Sequence, residues 1–257
     1  MKIKNKEELY KGKATEIKNK TYFETKMYTK PFFDKMEEST DDFIINVELP
    51  DQITKTINDP ISVDDITFNR VWIQAVLPDD CYENHKEVVS MVYGLDVRKP
   101  VVKLYRGGLN MACTNLCVFN PSFLNVQELK PEQVIDFSPV DTIMQQKLDI
   151  ARFLDKLKDT KIPYENSIIN ELLGGIIRRA IDYSYNKNYG KVKISPTTVL
   201  NAYKSIYVNE DSEYFIKEGE VTDMYNWYQA LTQEITDSKD IMNKAEKTLL
   251  LKDLINI

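Results

Sequence analysis

The hydrophobic pattern of this chain of 257 residues changes its period once, near Pro131. Between Asp42 and Phe119, short runs rich in β-branched and aromatic residues are separated by turn residues. The runs are FIINVEL, ITFNRVWIQAVL, EVVSMVYGL, VVKLYR and NMACTNLCVF. Their spacing predicts an antiparallel meander of strands, whereas the later apolar residues recur at helical spacing. The chain is therefore predicted to be α+β, with a β-meander in its N-terminal half packed with a helical C-terminal half.

Three segments of different character follow from this pattern. Residues 1–40 are basic and aromatic, residues 41–130 are rich in predicted strands, and residues 131–257 are predicted to be helical. No low-complexity linker separates them, so we expect one continuous domain. In ITFNRVWIQAVL neither set of alternating residues is cleanly polar, which indicates a strand that is partly buried on both faces.

Helix starts are marked by Ser-Pro pairs. SPVDTIMQQKLDIARFLDKLKD predicts one long helix that begins at Ser138, and SPTTVLNAYKSIYVN predicts another that begins at Ser195. A further helix is expected to be capped by Thr222 and to bury Trp227 as a structural residue.

Two glycines, Gly174 and Gly175, lie in the middle of a predicted helix, YENSIINELLGGIIRRAIDYSYNKN. Together they cost about 2 kcal/mol relative to alanine. They therefore indicate either a kink or the close approach of another backbone, and we favour close packing.

The stretch RGGLNMACTNLCVFNPSF is predicted to contain a hairpin turn and a central strand. Gly107 and Gly108 are typical of a tight turn. One face of the predicted strand contains Met111, Cys113, Cys117 and Phe119. Asn115 falls on that same face, and a buried amide must satisfy its hydrogen bonds. Asn115 is therefore interpreted as a structural residue that ties the strand to a neighbouring backbone.

Zinc is the most obvious cofactor to consider, because Cys81, His85, Cys113 and Cys117 are all the cysteines and the only histidine of the chain. On a strand, Cys113 and Cys117 would lie about 13 Å apart, too far to share one ion. Paired zinc cysteines in turns are more often two residues apart. We expect no metal and no cofactor, and interpret the cysteines as small hydrophobic residues, with zinc as the alternative.

Catalytic groups are sparse in this sequence. A cysteine nucleophile would have only His85 as its base, without a glycine-rich oxyanion turn. The acidic pairs Asp64 with Asp65 and Asp79 with Asp80 lie in turn-like segments, which is more typical of solvated acids than of a magnesium site. The sequence favours a non-enzymatic protein.

The net charge of −6 is unevenly distributed along the chain. Residues 1–35 contain ten lysines against five acids, whereas residues 36–96 contain fourteen acids against three bases. A uniformly basic nucleic-acid binder is excluded, but a basic arm is not. Its lysines are interleaved with aromatic residues, the mixture with which single-strand binders track phosphates and stack bases. The alternative is a solvated first helix and strand whose aromatic residues belong to the core.

The candidate nucleic-acid contacts are therefore basic and aromatic residues of the N-terminal segment and three arginines elsewhere. They are Lys11, Lys13, Lys18, Lys20, Tyr22, Lys26, Arg106, Arg178 and Arg179.

Two segments resemble an uncharacterised family of phage- and plasmid-encoded proteins. NMACTNLCVF is similar to that family's strand with the pattern Val-Cys-x-Asn-Thr-Leu. Cys113 and Asn115 match this pattern, while Leu116 and Cys117 stand where the family has threonine and leucine.

The second segment, MYNWYQALTQEITDSK, is similar to the family's helical pattern Leu-Tyr-Asn-Ala-x-Thr-Glu. Tyr228, Ala230 and Thr232 match, whereas tryptophan and two glutamines replace the leucine, asparagine and glutamate. The resemblance implies a protein carried by mobile elements and supplies no catalytic residue.

Two functions are consistent with these features. The first is a phage or plasmid accessory protein that binds or anneals single-stranded nucleic acid in replication or recombination, to which the predicted topology is loosely analogous. Annealing proteins assemble into rings or filaments, so a homo-oligomer belongs to this expectation. The second is a virion component, or an inhibitor that binds a host defence protein through the acidic residues 37–96.

No apolar run approaches the roughly 18 residues that a membrane span requires, and no apolar stretch follows the lysine-rich N-terminus. We expect a protein of the host-cell cytoplasm, or of the virion, that has no membrane partner. Three cysteines do not suggest a disulfide framework, in agreement with a reducing compartment.

Overall fold

The computed structural model describes the chain in several stretches. They are residues 2–3, 25–40, 42–48, 70–95, 100–112, 116–118, 138–145, 149–185, 193–238 and 243–255. Ten of the residues singled out from the sequence lie outside these stretches, namely Lys11, Lys13, Lys18, Lys20, Tyr22, Asp64, Asp65, Cys113, Asn115 and Phe119.

Six strands form one antiparallel sheet, in which the spatial order follows the order along the chain. They are β1 (Lys2–Ile3), β2 (Asp42–Glu48), β3 (Arg70–Tyr82), β4 (His85–Leu95), β5 (Pro100–Asn110) and β6 (Leu116–Val118). Four long strands, β2 to β5, thus lie between two short ones. The predicted antiparallel meander is confirmed.

Seven helices are described, six of them in the C-terminal half. They are α1 (Thr25–Met36), α2 (Ser138–Met144), α3 (Ile150–Asp159), α4 (Asn166–Tyr185), α5 (Pro196–Tyr207), α6 (Met224–Asp237) and α7 (Lys244–Leu254). A two-stranded sheet pairs β7 (Lys161–Pro163) with β8 (Val221–Asp223) in the helical half. The α+β class is confirmed.

Strand β3 is buried without interruption from Val71 to Leu77, so both of its faces are covered, as the sequence predicts. Helix α1 contributes three fully buried side chains to this first core, Phe32, Phe33 and Met36. At these positions the core interpretation of the N-terminal aromatic residues is correct, because buried rings cannot stack on bases.

The hairpin of β3 and β4 is longer than the sequence predicts. PDDCYENHK reads as a turn, yet β3 continues to Tyr82, which pairs with His85 and leaves only Glu83 and Asn84 as the turn. Glu83 has a φ of 40°, a left-handed conformation that residues other than glycine, asparagine and aspartate seldom adopt. The extended tip carries Cys81 and Tyr82 onto the helical half.

The second core lies among helices α3 to α7. Trp227 at its centre is fully buried, and its indole Nε1 donates a hydrogen bond to the Tyr207 hydroxyl at 3.1 Å. The buried face predicted for α6 and the structural role of Trp227 agree with this packing. Helix α7 joins the two cores, since Leu249 packs in the first and Leu251 in the second.

The two predicted helix caps have different outcomes. Ser195 caps α5 as expected, accepting a hydrogen bond from the Thr198 N–H at 3.1 Å. The cap of α6 is Asp223, which accepts from the Asn226 N–H at 3.0 Å, so the prediction of Thr222 is wrong by one residue.

The long helix predicted from Ser138 is wrong as well. Helix α2 ends at Met144, and α3 begins at Ile150 after the N-cap residue Asp149, whose carboxylate accepts from the Arg152 N–H at 3.2 Å. A short acidic side chain that binds a nearby backbone N–H favours a helix start over helix continuation.

The turn predicted at Gly107 and Gly108 is also wrong, because both glycines lie inside β5 and pair with residues of β4 and β6. Of the strand predicted to be central, only Leu116–Val118 is a described strand, and it is the last one in the order of the sheet. Met111 is exposed and belongs to a turn.

None of the helices in the described stretches is both long enough and apolar enough to cross a membrane.

Candidate functional site

The structure places four of the predicted basic contacts in described helices and strands. Arg106 lies in β5, and Arg178 and Arg179 lie in the middle of α4. Lys26 lies in α1. The three arginines do not form one basic patch, because their guanidinium groups have different environments.

Arg106 is buried and holds parts of the fold together. Its Nε donates to Glu87 at 3.0 Å, and its Nη1 donates to the backbone carbonyls of Ile143 and Met144 at 3.0 and 2.8 Å. These carbonyls belong to the last turn of α2, where a cation is favoured by the helix dipole. Arg106 therefore fastens α2 to the sheet, which is a structural role in place of the predicted nucleic-acid contact.

Arg179 is half-buried, and its Nε donates to the backbone carbonyl of Leu254 at the end of α7. This contact ties α4 to α7. Arg178, one residue earlier, is exposed. Of the two arginines, Arg178 is the one available for an external partner.

A groove of about 620 Å³ opens along α4. Its lining includes Ile168, Glu171, Leu172, Gly174, Gly175 and Arg178. Among the described residues no atom outside the helix backbone lies within 4 Å of the position that a Cβ on Gly174 would take. On Gly175 a Cβ would meet the Arg179 guanidinium at 3.5 Å. The close backbone approach predicted for these glycines is therefore wrong for the described part of the chain.

The residues that we call the outer α4 face are Ile168, Glu171, Gly174, Arg178 and Ile181. All five are exposed. This face combines two isoleucines, one glycine and two opposite charges. It has no partner inside the described fold and is therefore the best candidate for a binding site.

The zinc alternative gains no support from the described residues, which contain no group of three or more metal-binding side chains. Cys81 and His85 lie together, but the Cys81 thiol donates to the His85 carbonyl at 3.3 Å, and the His85 Nδ1 lies 3.2 Å from the Tyr82 carbonyl. Burial raises the pKa of the Cys81 thiol to about 11. A thiol that stays protonated is a poor metal ligand and a poor nucleophile.

His85 itself is buried and neutral at physiological pH, because burial lowers its pKa. Its ring lies edge-on to Tyr82 and Tyr225, with ring centroids 6.0 and 6.3 Å away. His85 is therefore a packing residue between the hairpin tip and α6.

Two polar contacts beside His85 were not predicted. The Tyr82 hydroxyl donates to Asp155 at 2.6 Å, and the Lys158 ammonium binds both oxygens of Glu83 at 2.7 Å. These partners are more than 70 positions apart in sequence, so no local pattern could have identified them. The contacts dock the hairpin tip on α3.

The most buried ion pair joins the sheet to α7. Lys103 Nζ lies 2.6 Å from Glu246 Oε1, and the Tyr105 hydroxyl donates to the same oxygen at 3.2 Å. Burial raises the pKa of Tyr105 further above its usual range, so it remains a hydrogen-bond donor. Lys103 and Tyr105 are two positions apart in β5, so their side chains lie on the same face of the sheet. This spacing is the only indication of the contact that the sequence provides.

Comparison of the chain with protein-family models, with curated proteins and with solved structures finds no match. The class that the fold defines is an α+β protein with an antiparallel meander sheet and a helical C-terminal half. Its functional assignment rests on its own charges and surfaces.

Proposed function

We propose that this protein is a non-enzymatic accessory protein of a phage or plasmid, which binds single-stranded nucleic acid in replication or recombination through its N-terminal basic segment. The observation that carries the proposal is the separation of charge along the chain. Ten lysines against five acids precede residue 36, and the following sixty-one residues are strongly acidic. A polyanion would therefore be held by the N-terminal segment and repelled by the sheet.

Ion pairing within the described body supports this division. Lys158 and Lys161 each lie within 3.3 Å of a carboxylate, and Arg106 is bound to Glu87. Cations neutralised in this way contribute little to phosphate binding. The resemblance to mobile-element proteins at Asn115 and Tyr228 agrees with the proposed setting.

Deletion of residues 1–35 would be an unsuitable test, because it removes Phe32 and Phe33 of α1 from the core and β1 from its pairing with β2. The better variant keeps both elements and replaces only Lys11, Lys13, Lys18 and Lys20 by glutamine. Its matched control carries the same charge change on exposed lysines of the body, Lys156, Lys193, Lys204 and Lys217.

Fluorescence anisotropy with a labelled single-stranded oligonucleotide at several salt concentrations measures the effect. The dependence of log K on log salt is about −0.7 per neutralised phosphate of a single strand. If all four N-terminal lysines contact phosphates, their replacement lowers the magnitude of this slope by about 3. Equal losses in the two variants, or no binding by the wild-type protein at low salt, would refute the proposal.

A second candidate function is binding to a basic protein, either as a virion component or as an inhibitor of a host defence system. It is favoured by acids exposed on two described segments. They are Asp79 and Asp80 at the β3–β4 tip, and Glu210, Asp211 and Glu213 after α5. Charge reversal of either set should abolish capture of such a partner from host lysate, and leave oligonucleotide binding intact.

A further inference from the structure

The sequence of helix α4 is nearly symmetric about the peptide bond between Gly174 and Gly175. Residues at equal distances from this bond have similar or complementary side chains. Three pairs of residues are equidistant from this centre. They are Leu172 with Ile177, Glu171 with Arg178, and Ile168 with Ile181. The apolar pairs are of like kind, whereas the charged pair has opposite signs. Such a pattern is self-complementary when two copies of the helix run antiparallel.

The helical geometry places these residues where a second helix would lie. At 100° per residue, Glu171 and Arg178 point within about 20° of each other, seven positions apart along the axis. Ile168 and Ile181 lie on opposite flanks of that direction, and the two glycines are between the charges. All members of the outer α4 face are exposed, with Ile168 at 36% and Ile181 at 39%.

We propose that the outer α4 face is the interface of a two-fold symmetric homodimer, in which α4 packs antiparallel against α4 of a second copy. In this arrangement Glu171 of each copy faces Arg178 of the other, so that two ion pairs form around the two-fold axis. Gly174 of each copy faces Gly175 of the other, which permits close approach of the backbones. An isologous contact of this kind requires a self-complementary surface.

The charges favour a second copy over a nucleic acid as the occupant. Phosphates drawn to Arg178 would also meet the carboxylates of Glu171 and Asp182, both exposed on the same side of the helix. For a second copy, Glu171 is the partner that Arg178 needs. The groove of about 620 Å³ beside the glycines is the space that the second helix would enter. The dimer does not depend on the nucleic-acid binding proposed above.

One helix pair forms an interface at the small end of those that associate in solution. A concentration-dependent dimer is therefore expected, measurable by sedimentation velocity between about 1 and 200 μM. Glu171→Arg places two arginines opposite each other at both ends of the contact, and Arg178→Glu places carboxylates there. Each single reversal should yield a monomer over this range, and the double variant should restore the dimer because the pairs form again with exchanged signs.

Two further variants separate loss of the interface from loss of folding. Gly174→Leu adds a side chain where the described fold leaves open space, so the monomer should keep its helical circular dichroism while the dimer is lost. Glu218→Arg makes the same charge change as Glu171→Arg on an exposed residue outside α4, and should leave dimerisation unchanged.

A wild-type protein that is monomeric at 200 μM would overturn the proposal. A dimer that survives Gly174→Leu and both reversals would overturn it too, since another surface would then be responsible. Loss in both single reversals without recovery in the double variant would overturn the pairing of Glu171 with Arg178.

Discussion

The ion pair between Lys103 and Glu246 predicts strong thermodynamic coupling between the sheet and helix α7. The exposed fraction of the Lys103 side chain is 15%, and that of Glu246 is 8%. Lys103→Met leaves the Glu246 carboxylate buried without its cation, and Glu246→Gln leaves the ammonium buried without its anion. Glutamine keeps the shape of the side chain and can still accept the Tyr105 hydrogen bond.

Removal of one partner of a buried ion pair costs about 3–5 kcal/mol, because an uncompensated charge remains. We expect about 3 kcal/mol for each single variant, at the lower end of this range, since Lys103 can still reach some solvent. The double variant leaves no buried charge and retains the Tyr105 contact to residue 246. Its cost should be about 2 kcal/mol, so the double-mutant cycle should give a coupling energy of about 4 kcal/mol.

The two tryptophans of the chain allow each core to be followed separately in urea. Trp72 lies in the sheet core and Trp227 in the helical core, so Trp227→Phe and Trp72→Phe backgrounds leave one reporter in each. Because α7 packs in both cores, the two reporters should show the same unfolding midpoint in the otherwise unchanged protein. Free energies of unfolding for the four members of the cycle then follow from linear extrapolation.

Additive costs for Lys103→Met and Glu246→Gln would refute the reasoning, because residues that do not interact contribute independently. Lys86→Met is the matched control for the lysine substitution. Lys86 donates to the Pro78 carbonyl from a site that is more accessible, and this variant should cost less than 1 kcal/mol and show no coupling to Glu246.

Three further predictions concern single positions. Burial lowers the pKa of His85, so folding favours its neutral ring. The resulting contribution to the free energy of unfolding is complete above about pH 6.5 and is lost as the pH falls through the folded-state pKa. Urea unfolding at pH 5 to 8 should therefore show a decline on acidification, by up to about 1.4 kcal/mol per pH unit from this one group, that His85→Gln removes. Gly174→Ala should stabilise the monomer by about 0.5–1 kcal/mol in thermal unfolding, whereas Gly219→Ala, at a φ of 87°, should destabilise it by about 1 kcal/mol. Trp227→Ala should cost about 3–5 kcal/mol in urea unfolding because it empties the centre of the helical core, and a cost under 1 kcal/mol would contradict that position.

Four of the five predicted strands and the helix starts at Ser138 and Ser195 could be predicted because their signals are local. Ser195 and Pro196 start α5 through contacts within four residues, and the β-rich runs of the N-terminal half pair as neighbouring antiparallel strands in the order in which they follow one another along the chain. The break at Asp149 could not be separated from helix continuation by periodicity alone. Its side chain decides the boundary by accepting one backbone hydrogen bond.

Glycines and charged residues were harder to interpret, since their roles depend on partners far away in sequence. Gly107 and Gly108 are equally compatible with a turn and with a strand between two neighbours, and the pairing with β4 and β6 decided for the strand. Arg106 has the same sequence signature whether it faces solvent or fastens a helix. Its partners in Glu87 and Ile143 decided that it is structural.

The sequence by itself determined the α+β class, the meander and the separation of a basic segment from an acidic one, because hydrophobic period, turn residues and charge are properties of short stretches. Only the tertiary structure decided which cations are neutralised inside the fold and which helix face remains open. Those outcomes depend on contacts such as Lys103 with Glu246 and Arg179 with Leu254, 143 and 75 positions apart, whose desolvation and geometry exist only after the chain has packed.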